Sequence, residues 1–426
     1  MSEKTVNQTA SVDHDFAQAQ VPESSRRGFW SMFVVMLGFT FFSSSMWTGA
    51  KLGAGLTFKN FWIAMLIGNL ILGVYTSFLA WISSDSGLSV HLLARRAFGK
   101  NGSWLPSFLL AFTQIGWFGV GVAMFAIPVQ TWLKARGIEC NIWIPVLISG
   151  IAFTSSAYFG IKALAIISMI AVPAVAFGGG FSAIKVFFDN AGAWDKLVHF
   201  TPEAGAALTM GAAIAMTVGN FVSGGTCTPD FTRFAKNRKI AVWTTAVAFF
   251  IGNSLMFIFG AVGARFYNTN DISEVLFLQN LLLPGIIVLG MNIWTTNDNA
   301  LYTSGLGLAN ITGLPKKYLV LFGGALGTIL AVWLYNNFCG WLSMLNNTLP
   351  PVGAVLIADY LLNRGKTEEQ PMVPVRISAI VAWALGVAVA IWVPWGISSI
   401  NAMIVTFAAY PYLRLIKCCC PCSCKK

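Results

Sequence analysis

Long apolar runs alternate along the chain with short polar connectors. Stretches such as "FWIAMLIGNLILGVYTSFLAWI" (61–82) and "YLVLFGGALGTILAVWLY" (318–335) come close to the roughly 20 apolar residues that a helix needs to cross a bilayer. Twelve such spans can be drawn, at 29–50, 58–84, 103–130, 141–160, 161–187, 205–231, 240–263, 282–307, 317–334, 337–362, 374–393 and 396–416. The two-residue alternation of a membrane β-barrel is absent. The pattern predicts an all-α polytopic membrane protein with twelve transmembrane helices. The connectors are too short for a second domain. The longest of them, 85–102, carries His91 beside Arg95 and Arg96, which predicts a short amphipathic surface helix.

Two spans read as interrupted. The first contains "GFTFFSSSMWTGAKLGAG" (38–55) and the sixth "VGNFVSGGTCTPDF" (218–231). Both mix Gly, Ser and aromatic residues where a continuous helix would carry aliphatic ones. They hold corresponding places in two five-span units, and an odd number of spans turns the second unit upside down. Paired interruptions of this kind point to a transporter site near the bilayer midplane, where unwound backbone faces the cargo. Isolated small residues such as Gly68 and Gly73 are accounted for by close helix packing alone. The organisation expected is a tail at 1–27, a first repeat at 28–187, an external loop at 188–204 and a second repeat at 205–362. A loop with the last two spans follows at 363–416, and a Cys-rich tail at 417–426.

Composition strengthens the membrane assignment: 56% of residues are hydrophobic and 10% charged, against about 25% charged in soluble domains. The net charge of +11 is spread over many short loops, which excludes a nucleic-acid surface. It reports orientation instead. With both termini inside, 20 of the 27 Lys and Arg residues face the cytoplasm, as the positive-inside rule requires. The first 28 residues lack the apolar core of a secretory signal and read as a disordered cytoplasmic tail. The tail "KCCCPCSCKK" holds Cys418, Cys419, Cys420, Cys422 and Cys424. Disulfides are not expected in a reducing cytoplasm, and the tail is assigned no transport role.

Candidate chemistry lies in "MNIWTTNDNALY" (291–302). On a helix, Asn292, Thr295, Thr296 and Asn299 share one face. Their neutral oxygens are hard ligands that suit an alkali cation at far lower cost than charges in the membrane. In "TQIGWFGVG" (113–121), Gln114 and Trp117 also share a face. A planar amide beside a large flat ring suits a planar, amide-bearing heterocycle. Asp230 and Asp359 lie next to basic loops that account for them as ion pairs. Asp298 lies deeper, and the pattern leaves open a helix-pairing role or a proton relay. There is no H-E-x-x-H, G-x-S-x-G or P-loop motif, so no enzyme class is supported.

The segments "TQIGWFGVGVAMFAIP" (113–128), "FFIGNSLMFIFGA" (249–261), 291–302 and "YNNFCGWLSMLNNTLPPVGAVLIADY" (335–360) resemble the cytosine-transporting branch of the nucleobase–cation symport family. The likeness runs from about Arg26 to the twelfth span. It implies the LeuT-type fold, a 5+5 inverted repeat with helices 1 and 6 broken. It also implies sodium-coupled import of cytosine across a bacterial inner membrane by a monomer, with no other cofactor and no obligatory protein partner. Residue by residue, it implies that the carbonyls of Gly38 and Phe41, with Asn292, Thr295 and Thr296, hold sodium. Gln114 and Trp117 would bind the base, with Phe221 as the second sandwiching aromatic and Asn220, Ser223 and Asn292 beside it. Asn220 departs from the pattern, which leads to a smaller Ser there. Proton coupling or another nucleobase or hydantoin-like substrate are the nearest alternatives. A passive channel or a non-transporting receptor would belong to a different class.

Overall fold

A computed structural model of the chain describes residues 16–267, 275–276, 278–363 and 372–419. The expectations for 1–15, for 364–371 and for 420–426 lie outside the described residues. Helices fall at all twelve expected spans. The first is broken into α1 (Phe29–Thr40) and α2 (Ser43–Gly55), bent by 54°. Next come α3 (Phe58–Ser86), the connector helix α4 (Val90–Phe98), α5 (Trp104–Lys134), α6 (Trp143–Tyr158) and α7 (Ile161–Asp189). A short α8 (Ala193–Val198) lies in the loop between the repeats. The sixth span is α9 (Met210–Thr226) followed by α10 (Thr228–Thr232), parted at Cys227. Then come α11 (Arg238–Tyr267), α12 (Leu282–Thr312) and α13 (Lys316–Asn336). The tenth span is α14 (Phe338–Thr348) and α15 (Pro350–Leu362), and α16 (Ile377–Trp392) and α17 (Ser398–Cys419) complete the fold. By length and apolarity α3, α5, α7, α11 and α13 each suffice to cross a membrane, and the bent α1–α2 pair makes a sixth such span.

Local chemistry sets the helix ends. Thr57, Ser89, Thr209 and Asn237 cap α3, α4, α9 and α11 by accepting a backbone N–H with their side chains, as N-cap residues do. The break at 349–350 and the π-turn at Ala248–Asn253 inside α11 were not anticipated. The first coincides with the Pro350–Pro351 pair, whose missing N–H groups favour a helix start.

The first nine spans sort into two packed sets, and α15, α16 and α17 pack on one another. The segments α1–α2, α3, α9–α10 and α11 pack on one another, as do α5, α6, α12 and α13, and α7 touches both. Close approach inside the first set depends on glycine. A Cβ at Gly49 would lie 2.3 Å from the Phe257 carbonyl oxygen, and one at Gly260 would lie 1.9 Å from that of Met46. Thus α2 and α11 run backbone against backbone, the small-residue packing expected in lipid. Large apolar side chains on α6 and α7, among them Ile148, Ile151, Phe177 and Phe188, stay exposed, as a lipid-facing surface requires.

Two expectations about the N-terminal tail and the first long connector are corrected. Residues 16–27 are docked rather than free. Val21 N–H donates to the Gly87 carbonyl at 2.9 Å, Gln18 Nε2 to that of Ala309 at 3.1 Å, and Arg233 Nη1 to that of Phe16 at 2.9 Å. Ala17 and Val21 are buried beneath this strap, which offsets the cost of ordering it. Helix α4 exists, but it is sunk into the protein. His91 is 1% exposed, and its ring lies 3.1 Å from Ser107 Oγ and 3.2 Å from the Thr303 carbonyl. Burial pushes its pKa down to about 3, so the imidazole is neutral.

Candidate functional site

The broken first span faces α12 on one side and α9 on the other. At the break the Gly38 and Phe41 carbonyls lose their helical partners and meet α12 instead. Thr295 Oγ1 lies 3.3 Å from the Gly38 carbonyl while also reaching its own helix at the Asn292 carbonyl, at 2.8 Å, and Asn292 Nδ2 donates to the Phe41 carbonyl at 2.6 Å. Ser43 Oγ closes the loop by donating to Asn292 Oδ1 at 2.6 Å. Four of the five expected cation-site residues are therefore assembled. Thr296 is set apart: its hydroxyl donates to its own helix at Asn292 and Ile293, and its side chain lines the neighbouring cavity. Asn299 also bonds back to its own helix, at the Thr295 carbonyl. Ser168 of α7 was not foreseen. A Cβ at Gly38 would lie 2.5 Å from Ser168 Oγ, so this hydroxyl sits at the lip of the break.

The second centre is a cavity of about 30 Å³, lined by Phe39, Phe42, Gln114, Trp117, Asn220, Phe221, Ser223, Gly224, Thr296, Asn297 and Ala300. It holds every base-binding residue expected from the sequence except Asn292, which stands with the cation group. Its volume is well below the roughly 150 Å³ of a cavity that admits benzene, so a planar ring enters only if the side chains part. Trp117 and Phe221 share the cavity without touching as rings. Phe42 stands at the edge of both, with ring centroids 5.1 Å from Trp117 and 6.4 Å from Phe221. Phe39 packs edge-on to Phe221 at 5.1 Å. Trp117 and Phe221 thus belong to a larger aromatic cluster that continues to Phe249 and Phe231, and Phe39 and Phe42 of the broken span supply two of its rings at the cavity.

Polar groups around these rings are held from outside. Trp117 Nε1 donates to Ser223 Oγ at 3.1 Å, and Gln114 Nε2 lies 3.5 Å from the Cys227 sulfur, a weak acceptor. Asn297 Nδ2 donates to the Phe118 carbonyl at 3.3 Å, seated where Gly121 has no Cβ: one there would meet Asn297 Oδ1 at 2.3 Å. Asn220 Oδ1 accepts from both Ser44 Oγ and Thr48 Oγ1 at 3.0 Å, and its Nδ2 donates to Ser45 Oγ at 2.8 Å. The first turn of α2 therefore touches both centres, through Ser43 on the α12 side and Ser44 on the α9 side.

The three acids resolve differently. Asp230 accepts from the Val90 N–H at 2.9 Å and lies 3.8 Å from His91. Asp359 accepts from Tyr410 and pairs with Arg414. Asp298 accepts from Ser156 of α6, which in turn accepts from Trp294 Nε1 at 2.7 Å. Its second oxygen has no hydrogen-bond partner among the described residues. The contact ties α6 to α12, away from the two centres.

Against known proteins, residues 20–413 match the family described as permease for cytosine/purines, uracil, thiamine, allantoin. The cytosine permease of Escherichia coli (strain K12) is 53% identical over 409 residues, covering 95% of this chain and 96% of the relative. A purine-uracil permease of Arabidopsis thaliana is 22% identical, over 75% of this chain and 60% of its own length. Among solved structures, Mhp1, a nucleobase-cation-symport-1 family transporter in a closed conformation with bromovinylhydantoin bound, superposes with a TM-score of 0.81. It is 18% identical, and the match covers 95% of this chain and 96% of that one. A Na+-coupled sialic acid symporter gives 0.69 at 12% identity, over 91% and 90%. The fold is the LeuT-type inverted repeat with its first and sixth helices broken. On this sequence match and this architecture, the chain belongs to the permease family for cytosine/purines, uracil, thiamine and allantoin, and it is an integral membrane transporter, not an enzyme.

Proposed function

We propose that this protein imports cytosine together with sodium by alternating access, as a monomer in a bacterial inner membrane with both termini in the cytoplasm. The substrate reading rests on the 53% identity to the Escherichia coli cytosine permease and on the chemistry of the cavity. Aromatic rings at Phe39, Phe42, Trp117 and Phe221 offer a planar base a stacking partner. Gln114 exchanges its weak bond to sulfur for one to the polar edge of the base. The +11 charge and the sequence distribution of basic residues support the orientation.

Sodium enters this reading as a co-substrate. Its site would be the carbonyls of Gly38 and Phe41 with the side-chain oxygens of Asn292 and Thr295, Thr296 lying next along the helix. For sodium to bind, the Asn292 amide turns so that its oxygen replaces the N–H that now meets Phe41. No carboxylate is in the set, so the occupied site keeps a positive charge and releases the ion readily.

The observation that carries the coupling is the adjacency of Ser43 and Ser44. Successive residues of one helical turn bond Asn292 in the cation group and Asn220 in the cavity wall. Ordering that turn from one side orders it for the other, and the two affinities must rise by the same factor. The test is uptake of radiolabelled cytosine into proteoliposomes with and without an inward sodium gradient. Uptake driven by sodium supports the proposal; uptake driven by a pH gradient alone, with no sodium effect, overturns the coupling.

A further inference from the structure

Behind Asn220 runs a line of buried amides and hydroxyls that the transport reading does not use. Asn220 Nδ2 donates to Ser45 Oγ at 2.8 Å, and Ser45 Oγ donates to Asn253 Oδ1 at 2.7 Å. Asn253 Nδ2 donates to Asn69 Oδ1 at 2.7 Å, and Asn69 Nδ2 to Ser254 Oγ at 2.8 Å. The line crosses α9, α2, α11 and α3, and Ser45, Asn69 and Asn253 are each 0% exposed. Asn253 closes the π-turn of α11, an irregularity frequent at functional positions. The glycine contacts of α2 on α11 bring Ser45 within reach of it.

Amides can be flipped and hydroxyls can donate either way, so such a line has two directions, and it reverses as a unit. The hydrogens decide between them. In the direction given, the Ser44 and Thr48 hydroxyls both donate to Asn220 Oδ1, and every hydroxyl hydrogen from Ser44 to Ser45 has an acceptor. Reversal would make Asn220 the donor to both and leave their hydrogens without another acceptor among the described residues. The forward direction fills Asn220 Oδ1 twice and spends one of the two Nδ2 hydrogens on Ser45. What Asn220 has left for an occupant of the cavity is an N–H.

We infer that Ser44 and Thr48, which do not line the cavity, are positioning residues that hold Asn220 as a hydrogen-bond donor and so select bases carrying a ring carbonyl. The inference rests on the reading of the cavity as the base site and names what that site recognises. Ser44→Ala with Thr48→Val removes both donors to the Asn220 oxygen at similar volume, so that Asn220 is free to flip.

The test is a double-mutant cycle read by competition binding on purified protein, with cytosine and 4-aminopyrimidine, which lacks the carbonyl, as probes. Ser44→Ala with Thr48→Val should weaken cytosine about tenfold, the scale of one hydrogen bond to a buried partner, and 4-aminopyrimidine less than about twofold. In an Asn220→Ala background the same pair of substitutions should change neither. Equal loss of both probes, or additive losses in the combined variant, would overturn the inference and leave a purely structural ladder. If that variant does not fold, Thr48→Val alone removes one of the two donors and must shift the cytosine to 4-aminopyrimidine ratio in the same direction. Wild-type protein that binds no cytosine overturns the substrate reading instead. The cycle then runs on whichever family base does bind, against its carbonyl-free counterpart, and an unchanged ratio still counts against the inference.

Discussion

Replacing Asn292 separates the cation reading from simple packing, because two substitutions there should act with opposite sign. In Asn292→Ala the Phe41 carbonyl and the Ser43 hydroxyl, both in buried residues, lose their partners together. Each unpaired buried group costs about 1–3 kcal/mol. A water admitted to the vacated space would bring the total toward the lower end, roughly 2 kcal/mol. The break loosens, one cation ligand is gone, and the sodium dependence of cytosine binding should disappear. Asn292→Asp keeps the shape and still accepts from Ser43. The atom facing the Phe41 carbonyl becomes an oxygen, however, and two acceptors at this separation repel unless a cation lies between them. At ~2.5 Å and an effective dielectric of about 20, a carboxylate attracts a sodium ion by about 7 kcal/mol gross. Desolvation takes several kcal/mol of that, and a net gain of ~1–2 kcal/mol tightens sodium roughly tenfold. Turnover should fall as release slows. The assay is cytosine affinity across a sodium titration, with choline holding ionic strength. The reasoning fails if Asn292→Ala retains the wild-type sodium dependence, or if Asn292→Asp requires more sodium rather than less.

Four further outcomes follow from the geometry. Trp117→Ala and Phe221→Ala should each weaken cytosine by about 1–3 kcal/mol, the worth of a base–aromatic stack; equilibrium binding with wild-type affinity in either variant removes that ring from the site. Gly49→Ala should lower thermal stability in detergent by about 1–3 kcal/mol through overpacking, since its Cβ would meet Phe257 backbone, whereas Gly180→Ala, with nothing within 4 Å, should be silent. His91 is held neutral in the fold, with Asp230, Arg233 and Arg95 around it, while an unfolded His takes a proton near pH 6.5. Stability should therefore fall as pH drops from 7.5 to 6, by less than about 1.4 kcal/mol per unit, and His91→Gln should flatten the slope in a melting series over that range. Reporter fusions at either terminus should report the cytoplasm, and a periplasmic C-terminus would contradict the charge-based orientation.

What the sequence made legible divides along a physical line. Span positions depend on apolar length, which any window of about 20 residues reads. The two broken helices show in composition because Gly, Ser and aromatic residues replace aliphatic ones there. Helical periodicity correctly grouped Asn292 with Thr295, since both lie on regular α12. The same arithmetic joined Thr296 and Asn299 to them, yet one face of α12 meets two neighbours, and only tertiary packing assigns each residue to one. Phe39 and Phe42 escaped because they flank the break, where neither 3.6 nor 2 residues per repeat applies. Ser168, Asn69 and Asn253 are lone polar residues on separate spans, and nothing local marks them. They matter only once the glycines of α2 bring helices into contact. The Pro350–Pro351 pair did carry a readable signal for the break in the tenth span.

The contacts that close the end of the bundle bearing the N-terminal strap are built on the same broken helix that carries the cavity. Arg233, at the end of α10, donates to the Tyr302 hydroxyl of α12 at 3.0 Å and to the Phe16 carbonyl of the N-terminal strap at 2.9 Å. That strap reaches both helix sets. Its backbone pairs with the end of the sixth span, Arg27 N–H donating to Phe234 and Lys236 N–H to Arg27, while Gln18 holds the α12 carbonyl of Ala309. Arg233 is 0% exposed, so leaving it without partners in a dry interface would be costly. Separation of the two sets therefore requires water to reach Arg233 as the Tyr302 and Phe16 contacts part. Upstream on that same span, Asn220 and Phe221 wall the cavity. A displacement of α9–α10 large enough to part the rings for a base is transmitted through Cys227 to Arg233. In the transport cycle proposed above, site occupancy and the opening of this end would be linked by one covalent segment, with no longer pathway needed between them.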